Sequence, residues 1–167
     1  VMFSEKAAER SWINLSNTYH FMRDGSLIWW SERSGHGHLY RFSDGKWTQL
    51  THGDWDDTWP TWSPDGSQIA FSGFRSGSNG HGQLGVYLAQ VGSADSRQIY
   101  TNEPDTDGIA RGTPHYILWS PDSQKLAIIA QTRTGGLSLF LSEISNSAPA
   151  QRLIDGGPLY ASWSPSS

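Results

Sequence analysis

A chain of 167 residues is long enough for one domain with its own core and too short to add a catalytic domain to a ring of repeats. Nine Trp, 18 Gly and eight Pro describe many short strands divided by turns rather than helices. A formal net charge of −4 offers no basic stripe for phosphate and argues against nucleic acid as a partner; the lack of Cys removes disulfides, thiol catalysis and thiolate zinc sites; and no run nears the ~18 apolar residues of a membrane helix.

Val1-Met-Phe-Ser4 is a short apolar run without the basic-then-apolar order of a signal peptide, so no compartment follows from it. A start at Val1 suggests a trimmed or joined chain, and residues 1–4 read as the last strand of an incomplete unit. A polar stretch and Trp12-Ile-Asn-Leu15 follow. The first full unit then has strands at Tyr19–Met22, Leu27–Trp30, His38–Phe42 and Trp47–Leu50, with turns at Arg23-Asp-Gly25, Arg33-Ser-Gly35 and Ser43-Asp-Gly45.

The second unit repeats that order at Pro60–Ser63, Gln68–Ser72, Leu84–Gln90 and Arg97–Thr101. The third does so at Tyr116–Ser120, Lys125–Gln131, Ser138–Ile144 and Gln151–Ile154, and Leu159–Trp163 opens a fourth. Trp62-Ser-Pro-Asp-Gly66 returns as Trp119-Ser-Pro-Asp-Ser123 and Trp163-Ser-Pro-Ser166. In the first, Pro64 fixes φ at the first corner of a turn, Asp65 can bond the backbone ahead of it and Gly66 tolerates the positive φ that closes it. Turn aspartates recur at Asp24, Asp65 and Asp122, and a second corner recurs at Arg33, Arg75 and Arg133. Asp24 and Asp65 lie 41 residues apart, Asp65 and Asp122 57 apart. Such intervals suit a four-stranded propeller blade of ~40–50 residues, the longer one stretched by loops at Ser76–Gln83 and Asn102–Thr113. Four antiparallel strands per unit with no helix between give an all-β, partial β-propeller, residues 1–167 forming one domain of about three blades plus terminal strands.

Trp-Ser-Pro-Asp-Gly, then Ile69-Ala-Phe71, then Arg75-Ser-Gly77, then Val86-Tyr87 resembles the blades of TolB-like propellers, a likeness that covers residues 56–167. Residues 1–55, with Trp12-Ile-Asn-Leu15, Ile28-Trp-Trp-Ser-Glu-Arg-Ser-Gly35, His38-Leu-Tyr40 and Gly53-Asp-Trp55, resemble a late blade in the propeller of bacterial dipeptidyl peptidase IV. That family implies a hydrolase domain with a Gly-x-Ser-x-Gly elbow, which this sequence lacks, and paired glutamates for a substrate's amino terminus, where Glu32 stands alone. The change of style near 54–58 suggests a chimera of two propeller fragments.

Three blades are fewer than the ~4–8 that close a ring, so open flanks are expected to drive homo-oligomerisation, most simply to a dimer. The expected function is that of a non-enzymatic, protein-binding scaffold without metal or cofactor. The alternatives are the substrate-gating segment of a prolyl oligopeptidase-type enzyme, or a lectin-like propeller for a small ligand or glycan.

In such a blade the second hairpin and the blade-to-blade linker share one face, which gathers the candidate residues Arg33, His36, His38, Asp54, Asp56, Asp57, Arg75, His81, Arg111 and Arg133. His36 and His38 alternate on an extended segment and, with His81, could offer imidazoles to a metal; a polar hairpin tip is the simpler reading. Asp54-Trp-Asp-Asp57 could hold calcium or an ammonium group, but its spacing is not that of a calcium loop, and a solvated linker is expected. Arg111 sits in an acidic loop suited to surface ion pairs. The recurring Arg33, Arg75 and Arg133 point mainly to a blade-to-blade structural role. A sialidase-type Asp box is absent, since Gly66 follows Asp65 directly.

Overall fold

A computed structural model describes residues 4, 6, 19–76, 82–93, 95–101, 107–109, 116–132, 136–146 and 148–165. The described residues contain no helix and build three antiparallel sheets. Blade 1 is β1 (Tyr19–Phe21), β2 (Leu27–Ser31), β3 (His38–Ser43) and β4 (Lys46–Gln49), paired in that order. Blade 2 is β5 (Asp57–Trp62), β6 (Gln68–Ser76), β7 (Gly82–Gln90) and β8 (Ser96–Thr101). Blade 3 is β9 (Asp107–Ile109), β10 (Ile117–Trp119), β11 (Lys125–Thr132), β12 (Leu137–Glu143) and β13 (Gln151–Gly156).

These strands are the ones the sequence repeat marks out, with three corrections. The ends of the loop expected at Ser76–Gln83 are strand, because β6 and β7 stay in register out to Ser76 and Gly82, while 77–81 lie outside the described residues. Part of the loop expected at Asn102–Thr113 is β9, which pairs with β11 at Ala130–Thr132 while β10 pairs with it at Leu126–Ile128. The inner strand of blade 3 is therefore split in two. Leu159–Trp163 is not a strand, pairing with no strand among the described residues. The strand expected at 1–4, Ser4 apart, and Trp12–Leu15 lie outside the described residues.

Blade 2 is covered on both faces, which explains the unbroken apolar runs in β6 and β7. Ile69, Phe71, Tyr87 and Ala89 point to blade 1 and pack with Ile28, Leu39 and Leu50. The alternate residues Ala70, Val86 and Leu88 point to blade 3 and pack with Trp119, Leu126, Ile128 and Phe140. Each core is thus an interface between blades.

A ladder of indole groups ties the later blades together. Trp119 Nε1 donates to the Thr61 carbonyl at 3.0 Å, and Trp163 Nε1 donates to the Leu118 carbonyl at 3.1 Å. Each Trp thus bonds the residue just before the equivalent Trp one blade back, so residues 159–163 hold the place of a fourth inner strand. The rung is missing at the first junction. Trp62 instead stacks on His20, ring centroids 4.8 Å apart, and its Nε1 is buried with no hydrogen-bond partner among the described residues.

The turn aspartates behave alike. Asp65 accepts from Ser63 Oγ at 2.6 Å and from the Ser67 amide at 2.9 Å; Asp122 accepts from Ser120 Oγ at 2.5 Å and the Gln124 amide at 2.9 Å. Gly66 closes its turn at φ 73°, whereas Ser123 takes the same left-handed conformation at φ 63°. Ser123 has a reason to stay, since its Oγ accepts from the Asp65 amide of blade 2 at 3.2 Å.

Hydroxyl and amide donors hold the carboxyls of Asp24, Asp65 and Asp122 below the ordinary aspartate value, the serine hydroxyl contributing most in each. A group depressed in the folded state binds protons more weakly there than in the unfolded chain, so its stabilising contribution is present at neutral pH and is lost on acidification. Urea unfolding should therefore show a falling midpoint once the pH drops below about 3.9, the ordinary aspartate value. Replacing all three with Asn should flatten that slope; an unchanged slope would show that these turns do not set the acid limit.

Candidate functional site

The sequence candidates converge where blade 1 meets blade 2. β2 and β3 end at a hairpin carrying His36 and His38, the linker to β5 carries Asp54, Asp56 and Asp57, and β6 carries Arg75. Period-2 alternation places Arg75 on the same face of β6 as Ile69 and Phe71, turned toward blade 1.

Asp57 is the hub, and it is 1% exposed. Its Oδ1 lies 2.6 Å from Arg75 Nη2 as an ion pair, without the alignment of a full hydrogen bond, and its Oδ2 lies 3.2 Å from His38 Nδ1. Its backbone is held as firmly, the amide donating to the Gly37 carbonyl at 2.7 Å and the carbonyl accepting from Trp30 Nε1 at 2.5 Å. The solvated linker expected here is therefore corrected. A carboxylate this deeply buried needs countercharge, and the Arg75 guanidinium is placed to give it.

His38 is likewise 1% exposed and not at a polar hairpin tip. Its Nε2 faces the Gly53 carbonyl at 3.0 Å, which can only accept, so that nitrogen carries hydrogen. Nδ1 is shared between Asp57 and the Thr51 hydroxyl at 3.3 Å, and Thr51 Oγ1 also accepts from the Leu39 amide. Both imidazole nitrogens are engaged, so His38 has no free lone pair to offer a substrate proton or a metal. Its ring stands 6.4 Å from that of His36, which points elsewhere, 3.6 Å from Asp56 near the surface. Among the described residues no group of three acidic or histidine side chains is placed to hold a metal.

Arg75 is sandwiched by aromatics, its guanidinium carbon 4.4 Å from the Trp55 ring centroid and 4.3 Å from that of Tyr87. Burial pushes the Tyr87 hydroxyl above its ordinary pKa; the Arg75 charge opposes this and Asp57 adds to it. Two glycines make room for the arrangement. A Cβ on Gly73 would stand 2.5 Å from Arg75 Nη1 and 2.7 Å from Asp57 Oδ1, inside the ion pair, and Gly53, at φ 130°, lies directly beneath the Trp55 ring.

Of the other candidates, Asp56 joins the cluster by accepting from the Gly37 amide at 2.7 Å, and Asp54 is exposed. Arg33 lies apart, stacked over Trp47 and Tyr40 of its own blade at 4.0 and 4.7 Å, so the equivalent arginines of blades 1 and 2 are used differently. His81, Arg111 and Arg133 lie outside the described residues. Thr51, Gly53, Gly73, Trp30 and Tyr87 were missed as partners. The available signal was alternation along β6, which puts Gly73 and Arg75 beside Phe71 on a buried face.

Residues 3–60 match the family model for the dipeptidyl peptidase IV (DPP IV) N-terminal region. The fold is similar to that of a putative TolB from Agrobacterium tumefaciens, with a TM-score of 0.60 and 22% identity over 92% of this chain and 56% of that one. It is also similar to a putative dipeptidyl aminopeptidase IV from Bacteroides ovatus, with a TM-score of 0.61 and 15% identity over 86% of this chain and 24% of that one. A puromycin-hydrolyzing peptidase of Mycobacterium tuberculosis gives a TM-score of 0.60 and 13% identity, over 87% of this chain and 25% of that one. The chain spans between a quarter and just over half of these proteins. Its fold is that of a partial β-propeller, and it resembles both TolB and the propeller region of DPP IV-type peptidases.

Proposed function

We propose that this chain is a non-catalytic arc of a β-propeller that associates with a second copy of itself through its open flanks and serves as a protein-binding scaffold. The observation that carries this reading is the outer face of blade 1. Tyr19, Trp29 and Tyr40 are register neighbours across three strands, and Phe21, Leu27, Phe42 and Trp47 are neighbours across four, all on the side turned away from blade 2. Tyr19 and Phe21 remain more than half exposed. An aromatic sheet face of this kind has the composition of a blade interface, and among the described residues no second sheet is placed against it. At the other end of the chain Leu153, Ile154 and Tyr160 are exposed.

The engagement of both His38 nitrogens supports the non-enzymatic part, because this buried His–Asp pair is committed to joining blades. A second reading, favoured by the match of residues 3–60, is a substrate-gating segment of a prolyl peptidase-type enzyme. The orphaned Trp62 nitrogen at the first junction supports a joining of two blade lineages there.

Multi-angle light scattering at micromolar concentration should give a mass that is a multiple of 18.5 kDa. Phe21→Lys, which puts a charge on the blade 1 flank, should shift it to the monomer mass. A wild-type mass of one chain would reject self-association, and a restored dipeptide hydrolysis on mixing with a peptidase hydrolase domain would favour the second reading.

A further inference from the structure

The three blades meet front to back. The Met22 amide donates to the Ser26 carbonyl, the Ser63 amide to Gln68 and the Ser120 amide to Lys125, which makes Leu27, Ile69 and Leu126 equivalent first residues beyond the hairpin. Two residues further on stand Trp29, Phe71 and Ile128, opposite Tyr40, Tyr87 and Phe140. In blade 2 this front set packs toward blade 1, and in blade 3 toward blade 2. In blade 1 the same set lies on the side away from blade 2. Leu27 and Tyr40 are buried within it, and Tyr19 and Phe21 on the same face are exposed.

The back faces are equivalent in the same way. Leu39, opposite Trp30, packs toward blade 2, and Val86, opposite Ser72, packs toward blade 3, both of them buried. Leu139, opposite Ile129, holds that position in blade 3. There β12 alternates: Ser138, Phe140 and Ser142 are buried, whereas Leu137, Leu139 and Leu141 on the back face are half-buried. Ile154, beside Leu139 in the register, is 58% exposed. The equivalent stretch of β7, Val86–Ala89, is buried throughout. The back face of blade 3 is nonetheless built to be followed, because Trp163 bonds the Leu118 carbonyl as Trp119 bonds Thr61 one blade earlier. That rung reaches the inner strand β10 and leaves the leucines of β12 half-exposed.

A front face on a back face repeats the contact made at both junctions within the chain. Two front faces together would set aromatic residues against their own copies, which neither junction does. Closed propellers hold ~4–8 blades, so two copies of a three-bladed arc suffice for a ring.

We propose that self-association, on which this inference rests, runs head to tail: the back face of blade 3 receives the front face of blade 1 of a second copy, and two chains close a ring with each flank used once. The incoming sheet meets Leu137, Leu139, Leu141 and Ile154 directly, and meets residues 159–163 at its inner edge.

The test is multi-angle light scattering at micromolar concentration on wild type, Phe21→Lys, Leu139→Glu and an equimolar mixture of the two variants, with circular dichroism to check that each is folded. Wild type should give twice 18.5 kDa and each variant alone 18.5 kDa. The mixture should return to twice 18.5 kDa, because one front-to-back contact is intact and the other pair of flanks now carries opposite charges. If Leu139→Glu fails to fold, Ile154→Glu on the edge strand β13 serves the same comparison. A wild-type mass above two chains, an oligomer that the blade 3 variant leaves at full mass, or a mixture that stays at the mass of one chain would each overturn the head-to-tail ring alone. A wild-type mass of one chain would overturn it together with self-association and leave the blade 3 face to a different partner.

Discussion

Asp57→Ala should lower the unfolding free energy by about 3–5 kcal/mol, the usual cost of breaking a buried ion pair from one side. The reason lies in what is left behind. Arg75 would keep its guanidinium between Trp55 and Tyr87 without a carboxylate to meet, and His38 would lose the partner of Nδ1. For a chain of this size, at roughly 2–4 °C per kcal/mol, the thermal midpoint should fall by some 6–20 °C. Pairing Asp57→Leu with Arg75→Met removes both charges from the same buried volume and should recover most of the loss. Urea denaturation of wild type, both single variants and the double variant gives the coupling directly. Additive losses would mean that the two charges do not stabilise one another and that blades 1 and 2 are held by the Ile28–Phe71 core alone. Gly73→Ala supplies an independent check, because it forces a methyl between the same two groups without altering either.

How much of this was legible beforehand depends on the range of the interaction. The Asp65 and Asp122 turns could be read because the serine, the aspartate and the amide it bonds lie within five residues of each other. The strands of blade 2 could be read because a blade covered on both faces writes its burial as a continuous apolar run, as in Ile69–Phe71. Ser76, Gly82, Gln83 and Asp107–Ile109 read as loop because turn-prone residues surround them, whereas the β6–β7 ladder and the β9–β11 pairing hold them as strand. The Asp57 cluster lay beyond reach for a different reason. Its members come from five separated segments, and a linker such as Asp54-Trp-Asp-Asp57 has the same composition whether its last carboxylate meets water or Arg75. Only the alternation of β6 hinted that Arg75 turns inward.

Trp119→Ala should be the other large loss, about 3–5 kcal/mol, since it empties a buried indole site in the blade 2–blade 3 core and frees the Thr61 carbonyl. The sharper comparison separates packing from the rung. Trp119→Phe keeps most of the aromatic contact and loses the bond to Thr61, and should cost about 1 kcal/mol more than Trp62→Phe, whose nitrogen has no partner to lose. Trp62→Phe should be close to neutral or slightly stabilising, because it removes a buried donor with no acceptor. The two junctions then differ in kind. One is held by hydrogen-bonded indoles repeating from blade to blade, the other by a buried ion cluster reaching from Asp57 to His38 and Arg75. Equal losses for the two Phe variants would mean that Trp62 Nε1 finds an acceptor in solution, and the contrast between a repeating junction and a substituted one would disappear. A near-neutral Trp62→Phe beside a costly Asp57→Ala would establish that the first junction relies on charge where the second relies on the ladder.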